Sequence, residues 1–336
     1  MAKTAVLLIN LGSPDKPTVP AVYRYLTQFL NDPRVIDIPA LARWILVNLI
    51  IVPIRCFAST KIYKKLWTEE GSPLIVYGER VREQLQAKLD EDADVYIAMR
   101  YQNPSIRSQV KEMEKHLYTK VVVIPLFPHY ASASTGSAVQ KAMEEIAKMY
   151  VIPQVEIVDD YYDLPELIDI QAENAQKLHP SSFDHIIMSY HGLPMRHLDK
   201  VYSDGLCDHH DCEHGVDGAN RYCYKAQCYT TTHLIAEKLG LEEDQYSVGF
   251  QSRLGKGWVT PFTDKLIEER AEKGDKRLLV FSPAFVADCL ETIIEIGDEY
   301  QEDFEKLGGE QVQLVPSLND DPRWVAALER MVRERL

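Results

Sequence analysis

His191 and Gly192 close the run DHIIMSYHGLP, in which an apolar segment with strand character stops on an aromatic, an imidazole and a glycine. An imidazole just past a strand end is placed to take or give a proton near neutral pH. The plainer alternative is a hydrogen-bonded histidine at a core margin. A second acid–base feature is the row Asp288, Glu291 and Glu295 in SPAFVADCLETIIEI, whose spacings of three and four share one face of a helix. Crowded carboxylates raise one another's pKa, so one holds a proton while another binds a cation. A solvated acidic stripe is the plain alternative, and the start of the row directly beyond a strand favours a cleft. The third feature is Cys207, Cys212, Cys223 and Cys228, spaced C-x4-C, ten residues, then C-x4-C. Four thiolates hold either tetrahedral zinc or a [2Fe–2S] cluster, and this spacing does not choose between them. His209, His210 and His214 add alternative zinc ligands, and free thiols this dense would be prone to oxidation.

Three further segments end strands. Asn10-Leu11-Gly12-Ser13-Pro14 is a small-residue turn that permits close approach. PLFPHYASASTGSA carries Tyr130 and then Ser134, Thr135 and Gly136, which either cap the following helix or offer hydroxyls to a ligand. FQSRLGKGWVTP offers Gln251, Ser252, Arg253 and Trp258. Arg253 suits an anionic substituent, and Trp258 is either core or a flat stacking surface.

These residues need a scaffold that gathers strand ends. Short apolar runs alternate with amphipathic stretches along the chain, and the pattern restarts after about residue 150. That predicts an α/β fold of two similar doubly wound, Rossmann-like domains with parallel sheets, whose ligands bind beyond the carboxyl ends of strands. The expected boundaries are 1–150, completed by 305–336, and 151–304, interrupted by the cysteine-rich insertion 193–228. A helix is expected from Val286 to Phe304. No GxGxxG follows the first strand and no GxxxxGK[ST] occurs, so the strongest sequence support for nucleotide binding is missing.

With 336 residues and 46% apolar side chains, two domains with sizeable cores are affordable in surface terms. The formal charge of −14, from 37 basic and 51 acidic side chains, argues against nucleic acid as partner. The opening MAKTAVLLINLGSP reads as a buried strand rather than a signal peptide, which predicts a cytoplasmic protein. The apolar run from Ile38 to Ile54 contains Arg43, Asn48 and two prolines, and reads as a buried helix or as one lying at a pocket mouth or membrane surface.

Taken together, LLINLGSP, GSPL at 71–74, AMRYQNPSI, FPHYASASTGS, SYHGLP, FQSR with its following Trp, and PAFVADCLETIIEI resemble the ferrochelatase family, in family order over nearly the whole chain. The family's members are lyases that insert Fe²⁺ into a porphyrin, with release of two protons, at the last step of haem synthesis. The resemblance implies that His191 is the histidine of the SxHGxP motif, Glu291 the glutamate of the ET motif, and Glu295 and Asp288 the acidic path beside it, so that His191, Glu291, Glu295 and Asp288 handle the metal. It implies a porphyrin pocket touched by Arg100, Tyr130, Ser134 and Trp258, to which the strand-end reading adds Asn10, Thr135 and Arg253. Cys289 departs from the histidine of animal members and is not expected to be essential. The lip 38–54 implies peripheral contact with the inner membrane and suits protoporphyrin IX better than the four-propionate coproporphyrin III. Animal members place cluster ligands in the 130–136 segment and a C-terminal extension, where this chain has no cysteine. The insertion therefore looks like the internal bacterial type, with a [2Fe–2S] cluster on Cys207, Cys212, Cys223 and Cys228 and structural Zn²⁺ as the alternative. Animal members are homodimers, and no residue pattern here reports on oligomeric state. The competing readings are a cobalt or nickel chelatase, a non-catalytic tetrapyrrole carrier, and a periplasmic-type binding protein.

Overall fold

A computed structural model describes residues 4–253, 255 and 257–336. Residues 1–3, from the opening segment, and 254 and 256, from FQSRLGKGWVTP, lie outside the described residues. The chain forms two compact units, 1–127 with 131–159 and 320–336, and 128–130 with 160–319. In the first, strands β1 (Thr4–Asn10), β2 (Ala93–Met99), β3 (Lys120–Pro125) and β4 (Gln154–Ile157) form a parallel sheet in the order β2-β1-β3-β4. In the second, β5 (His185–His191), β6 (Tyr246–Gln251), β7 (Arg277–Phe281) and β8 (Gln311–Leu314) repeat that arrangement as β6-β5-β7-β8.

The repeat matters for chemistry. Chain order reverses around β1 in one sheet and around β5 in the other, and a crevice opens beyond the carboxyl end of such a strand. Asn10 ends β1 and His191 ends β5. Every residue of β1 is buried, because helices cover both faces of a parallel sheet. The cores are built the same way: Leu7, Ile9, Val121 and Val123 pack under Val110 and Ala142 in one unit. Ile187, Leu278 and Val280 pack under Ile267, Ile296 and Phe304 in the other.

Two expectations need correction. The segment that completes the first unit begins at Asp320, not 305, because β8 pairs in parallel with β7 and so belongs to the second sheet. The expected helix from 286 to 304 is replaced by a π-helix, Leu290–Tyr300, continued by an α-turn at Gln301–Lys306. Cys289 before it is extended (φ −148°), and its N–H is taken by the Thr292 hydroxyl at 2.9 Å. That side-chain cap starts the helix two residues after Asp288.

The apolar run also resolves. Ala40–Leu66 is one continuous helix with a π-turn at Leu46–Ile51, just ahead of Pro53, which has no N–H to give the preceding turn. Val47 and Val52 anchor it on Leu30, while Leu41, Trp44, Leu49, Ile50, Ile54 and Phe57 stand exposed. Of the two readings of this run, the buried helix is excluded. The helix is long and apolar enough to cross a membrane by length and composition.

One buried charge ties the first unit's strand ends together. Asp32 is 5% exposed and accepts from Arg100 Nη2 (2.5 Å), the Tyr101 hydroxyl (2.8 Å), Ser137 Oγ (2.5 Å) and the Arg34 N–H (2.8 Å). Burial pushes its pKa up, but the Ser137 hydroxyl, the Arg34 amide and the Arg100 cation outweigh it and hold the carboxyl below its ordinary range. Since the folded pKa is depressed, the stabilisation is present at neutral pH and is lost as pH falls below about 4. Asp32→Ala leaves the Arg100 cation half-desolvated and is expected to cost about 3 kcal/mol at pH 7, read as a lower urea midpoint at unchanged slope, with the gap to wild type closing in acid.

Candidate active site and thiol centre

His191 is half-buried at the end of β5, and its Nδ1 lies 2.7 Å from the Gly192 carbonyl. A carbonyl only accepts, so Nδ1 carries the proton and Nε2 keeps the lone pair in the neutral ring. Gly192 is required here: a Cβ would sit 2.7 Å from the Gln251 carbonyl and 3.4 Å from the Trp258 ring. Trp258 therefore forms a wall beside the histidine, joined to Pro194 by a β-bridge.

The acid row is gripped from β6, the strand paired with β5 at His191 and Gln251. Gln251 Nε2 donates to the Glu291 carbonyl (3.1 Å) and to Glu295 Oε2 (3.3 Å). Ser252, in the left-handed region at φ 61°, aims both its N–H (2.9 Å) and its hydroxyl (2.5 Å) at the Glu295 carboxylate. Tyr300 donates a fourth bond from one π-turn further on, at 3.2 Å. Burial raises the pKa of Glu295, the Ser252 hydroxyl and the nearby His191 oppose it, and Glu291 adds to it. The net upward direction makes Glu295 a carboxyl that exchanges a proton more readily near neutral pH than a solvated glutamate would.

Several expected site residues are placed otherwise. Asp288 is buried away from the row, accepting from Asn319 Nδ2 (2.7 Å), the Thr292 hydroxyl (3.1 Å) and the Ser317 N–H (3.3 Å), so it is a structural acid that closes the 315–319 loop. Arg253 is committed to Asp264 by two bonds, at 2.5 and 3.2 Å, over the Phe262 ring. Arg100 is likewise committed, to Asp32 and Ser137. Thr135 is fully buried within the π-turn Ser132–Gly136, which excludes it as a ligand contact. Ser134 bonds back to the Ala131 carbonyl at 3.5 Å. Asn10 is buried with its Oδ1 on the Leu11 N–H and its Nδ2 without a hydrogen-bond partner among the described residues, which leaves a donor for a ligand. Tyr130 is half-buried against Tyr222, with its N–H on Gln227 Oε1 at 2.6 Å. Cys289 is buried at the π-helix cap, and burial pushes its thiol up.

The insertion brings three of its four cysteines together. The Sγ atoms of Cys207, Cys212 and Cys223 lie 3.5–3.8 Å apart, all buried. Thiolates on one tetrahedral ion at about 2.3 Å would stand about 3.8 Å apart, so the spacing suits shared coordination. Cys228 is not in that group; it is buried one turn into the Tyr224–Leu239 helix, whose cap is Cys223. The four-ligand expectation is thus met by three, and Cys228 is the fourth buried thiol of the segment. The donor set, all soft sulfur, fits a thiolate-held cluster or ion. His209 and His210 turn instead to Asp204, and His214 to Asp211. The Tyr202 hydroxyl meets Cys212 Sγ at 3.0 Å, and burial beside these thiols pushes it up, so it remains a donor.

Sequence reasoning noted Gln251 and Ser252 without giving them a task, and missed Tyr300 and Tyr202. Tyr300 follows Glu295 by five residues, a signal only once a π-helix is considered.

The fold defines a class before it defines a member. SirB from Bacillus subtilis with Fe³⁺ aligns with a TM-score of 0.57 at 13% identity, over 99% of this chain and 95% of that one. The sirohydrochlorin chelatase SirB in complex with cobalt, from Bacillus subtilis subspecies spizizenii, aligns at 0.56 and 11%, over 99% and 94%. These likenesses establish a chelatase-type fold. The sequence goes further: the family profile Ferrochelatase matches residues 3–336. A ferrochelatase from Coxiella burnetii (strain CbuK_Q154) is 44% identical over 340 residues, covering 99% of this chain and 94% of the relative. One from Legionella pneumophila (strain Paris) is 43% identical over 336 residues, covering 99% and 100%. The chain belongs to the ferrochelatase family, whose enzymes act on ferrous iron and a porphyrin in haem biosynthesis.

Removing one donor from the ionised Glu295 favours its neutral form. Ser252→Ala is therefore expected to move the acidic limb of the kcat–pH profile to higher pH while leaving thermal unfolding within a few degrees of wild type; an unmoved limb assigns that titration to another group.

Proposed function

We propose that this protein inserts Fe²⁺ into protoporphyrin IX, a lyase reaction at the end of haem synthesis, with His191, Glu291 and Glu295 of the second unit as its chelation centre. The carrying observation is the His191 tautomer: Nδ1 is tied to the Gly192 carbonyl, so Nε2 presents a lone pair beside the acid row. A porphyrin is a rigid disc with two inner N–H groups, both of which must be lost before a divalent ion enters the plane. His191 Nε2 accepts a pyrrole proton. Glu291 strips water from the incoming Fe²⁺, and Glu295, with its pKa raised, passes protons away from the centre. The Trp258 wall beside Gly192 holds the disc against the histidine. Ring distortion that exposes the nitrogen lone pairs is supported by binding energy from the rest of the disc.

Protoporphyrin is preferred over coproporphyrin because Arg253 is already neutralised by Asp264 and is not offered to additional propionates. The exposed apolar face of Ala40–Leu66 supports peripheral contact of a cytoplasmic protein with the inner membrane. The thiols of Cys207, Cys212, Cys223 and Cys228 are assigned to a [2Fe–2S] cluster, with Zn²⁺ as the alternative. Such a group, when bound, would supply a rigid thiolate crosslink across a long loop; metal insertion changes no oxidation state and asks no electron of it.

His191→Ala and Glu291→Gln are each expected to lower iron insertion about 100-fold or more with circular dichroism unchanged, and near-normal insertion by either removes that residue from the centre. Turnover on the two porphyrins side by side should favour protoporphyrin IX; a strong preference for coproporphyrin III overturns the substrate assignment. Anaerobically purified protein should be red-brown, with about two irons and two labile sulfides per chain, whereas stoichiometric zinc without iron or sulfide replaces the cluster. Flotation with anionic liposomes should carry the protein, and Leu49→Glu with Ile54→Glu should abolish it; wild-type protein left at the bottom of the gradient refutes membrane contact.

A further inference from the structure

The helix Ala40–Leu66 has a second property besides its exposed apolar face. In a chain with 51 acidic and 37 basic side chains, its 27 residues hold no Asp or Glu, and they hold Arg43, Arg55, Lys61, Lys64 and Lys65. Arg43 is used within the protein: its Nη1 donates to the Ile38 carbonyl at 2.9 Å and to the Ile36 carbonyl at 3.2 Å. The other four cations gather in the second half of the helix. All four are exposed, and among the described residues none of them pairs with a carboxylate. The nearest acids along the chain, Asp37 and Glu69, lie outside the helix, and Glu70 is held by Arg80 at 2.6 Å.

The cations continue the apolar face. Over Val52–Leu66, Val52, Cys56, Thr60 and Tyr63 are buried. Ile54, Phe57, Lys61, Lys64 and Lys65 recur at spacings of three and four on the outer side, with Arg55 flanking Ile54. Ile54 is 70% exposed and Phe57 61%. One face therefore passes from hydrocarbon to ammonium between Phe57 and Lys65, a distance of about 12 Å at 1.5 Å per residue. The helix dipole accounts for cations in a last turn, and so for Lys64 and Lys65. It does not reach Lys61, or Arg55 about three turns from the end. Ion pairing along the helix does not account for them either, because the helix has no acid to pair with.

A ligand for this surface must offer hydrocarbon and negative charge side by side. Nucleic acid offers the charge without the hydrocarbon, and the net charge of −14 opposes it. A neutral lipid surface offers hydrocarbon alone. An anionic bilayer offers both: acyl chains for Leu49, Ile50, Ile54 and Phe57, and a plane of phosphate headgroups directly above them. Lysine stems lie along apolar surface while the ammonium reaches that plane.

We propose that the second half of this helix, through Arg55, Lys61, Lys64 and Lys65, binds the phosphate headgroups of anionic phospholipid, so that the protein selects anionic membrane in spite of its net negative charge. The inference rests on the membrane contact proposed above and names the lipid chemistry which that contact requires. The two charges act over different distances. At physiological salt, charges more than about 8 Å from the membrane are largely screened, so the acidic remainder of the surface contributes little once this face has docked.

The test is co-sedimentation of the full chain with vesicles of phosphatidylcholine alone and with vesicles of an equimolar phosphatidylcholine–phosphatidylglycerol mixture. At low salt, wild type should partition onto the mixed vesicles about 500-fold more strongly, from four cations at about fivefold each. Sodium chloride at about 1 M, with a screening length of about 3 Å, should bring the two vesicle types level. The triple variant Lys61→Gln, Lys64→Gln, Lys65→Gln should lose about 100-fold on the mixed vesicles and bind phosphatidylcholine as wild type does, with circular dichroism unchanged. Should that variant fail to fold, the salt series on wild type decides alone. Wild type that binds both vesicles equally at low salt, or a preference that survives about 1 M salt or the triple substitution, overturns the headgroup inference and leaves the membrane contact standing. Wild type that binds neither vesicle overturns the membrane contact, and the inference with it.

Discussion

The second unit depends on a short reach from strand to π-helix: Gln251 and Ser252, at the end of β6, hold Glu295 and the Glu291 carbonyl. Four donors, counting Tyr300, converge on one largely buried carboxylate. Without them its desolvation would force it neutral or out into solvent. With them, the helix is fixed in rotation, so Glu291 is set beside the strand end where His191 stands. The π-turn is part of this constraint, since its i→i+5 winding brings Tyr300 back over Glu295 in a way a regular α-turn would not.

Much of this was legible in the sequence because parallel α/β folds put their chemistry at strand ends. The alternation of apolar runs with amphipathic stretches predicts two similar halves, and each sheet repeats the same strand order. His191 at a strand end and Glu291 at a helix start stand where a period-based reading can find them. The cysteines of the insertion are conspicuous by density alone.

What sequence did not show was decided by side-chain partners distant along the chain. Asp288 fits an acidic stripe by spacing, yet Asn319 and Ser317, some thirty positions away, claim it. Arg100 and Arg253 look like free cations until Asp32 and Asp264 are placed beside them. Thr135 was drawn into a buried turn by a π-bulge that no propensity scale anticipates. Cys228 shares the spacing of its neighbours, but it lies inside a helix whose start, at Tyr224, falls earlier than its apolar periodicity suggests. The domain boundary moved for a related reason, since a short strand near the end of the chain does not declare which sheet it joins until its pairing with β7 is seen.

Proton acceptance at this centre turns on which nitrogen of His191 is free. A ¹⁵N-labelled histidine spectrum of the protein near pH 8, assigned by comparison with His191→Gln, reads this directly. The geometry predicts that Nδ1 holds the proton of the ring, with Nε2 bare and shifting when a porphyrin is added. A ring protonated at Nε2 would face the acid row with a donor instead of a lone pair, and would contradict its role as proton acceptor.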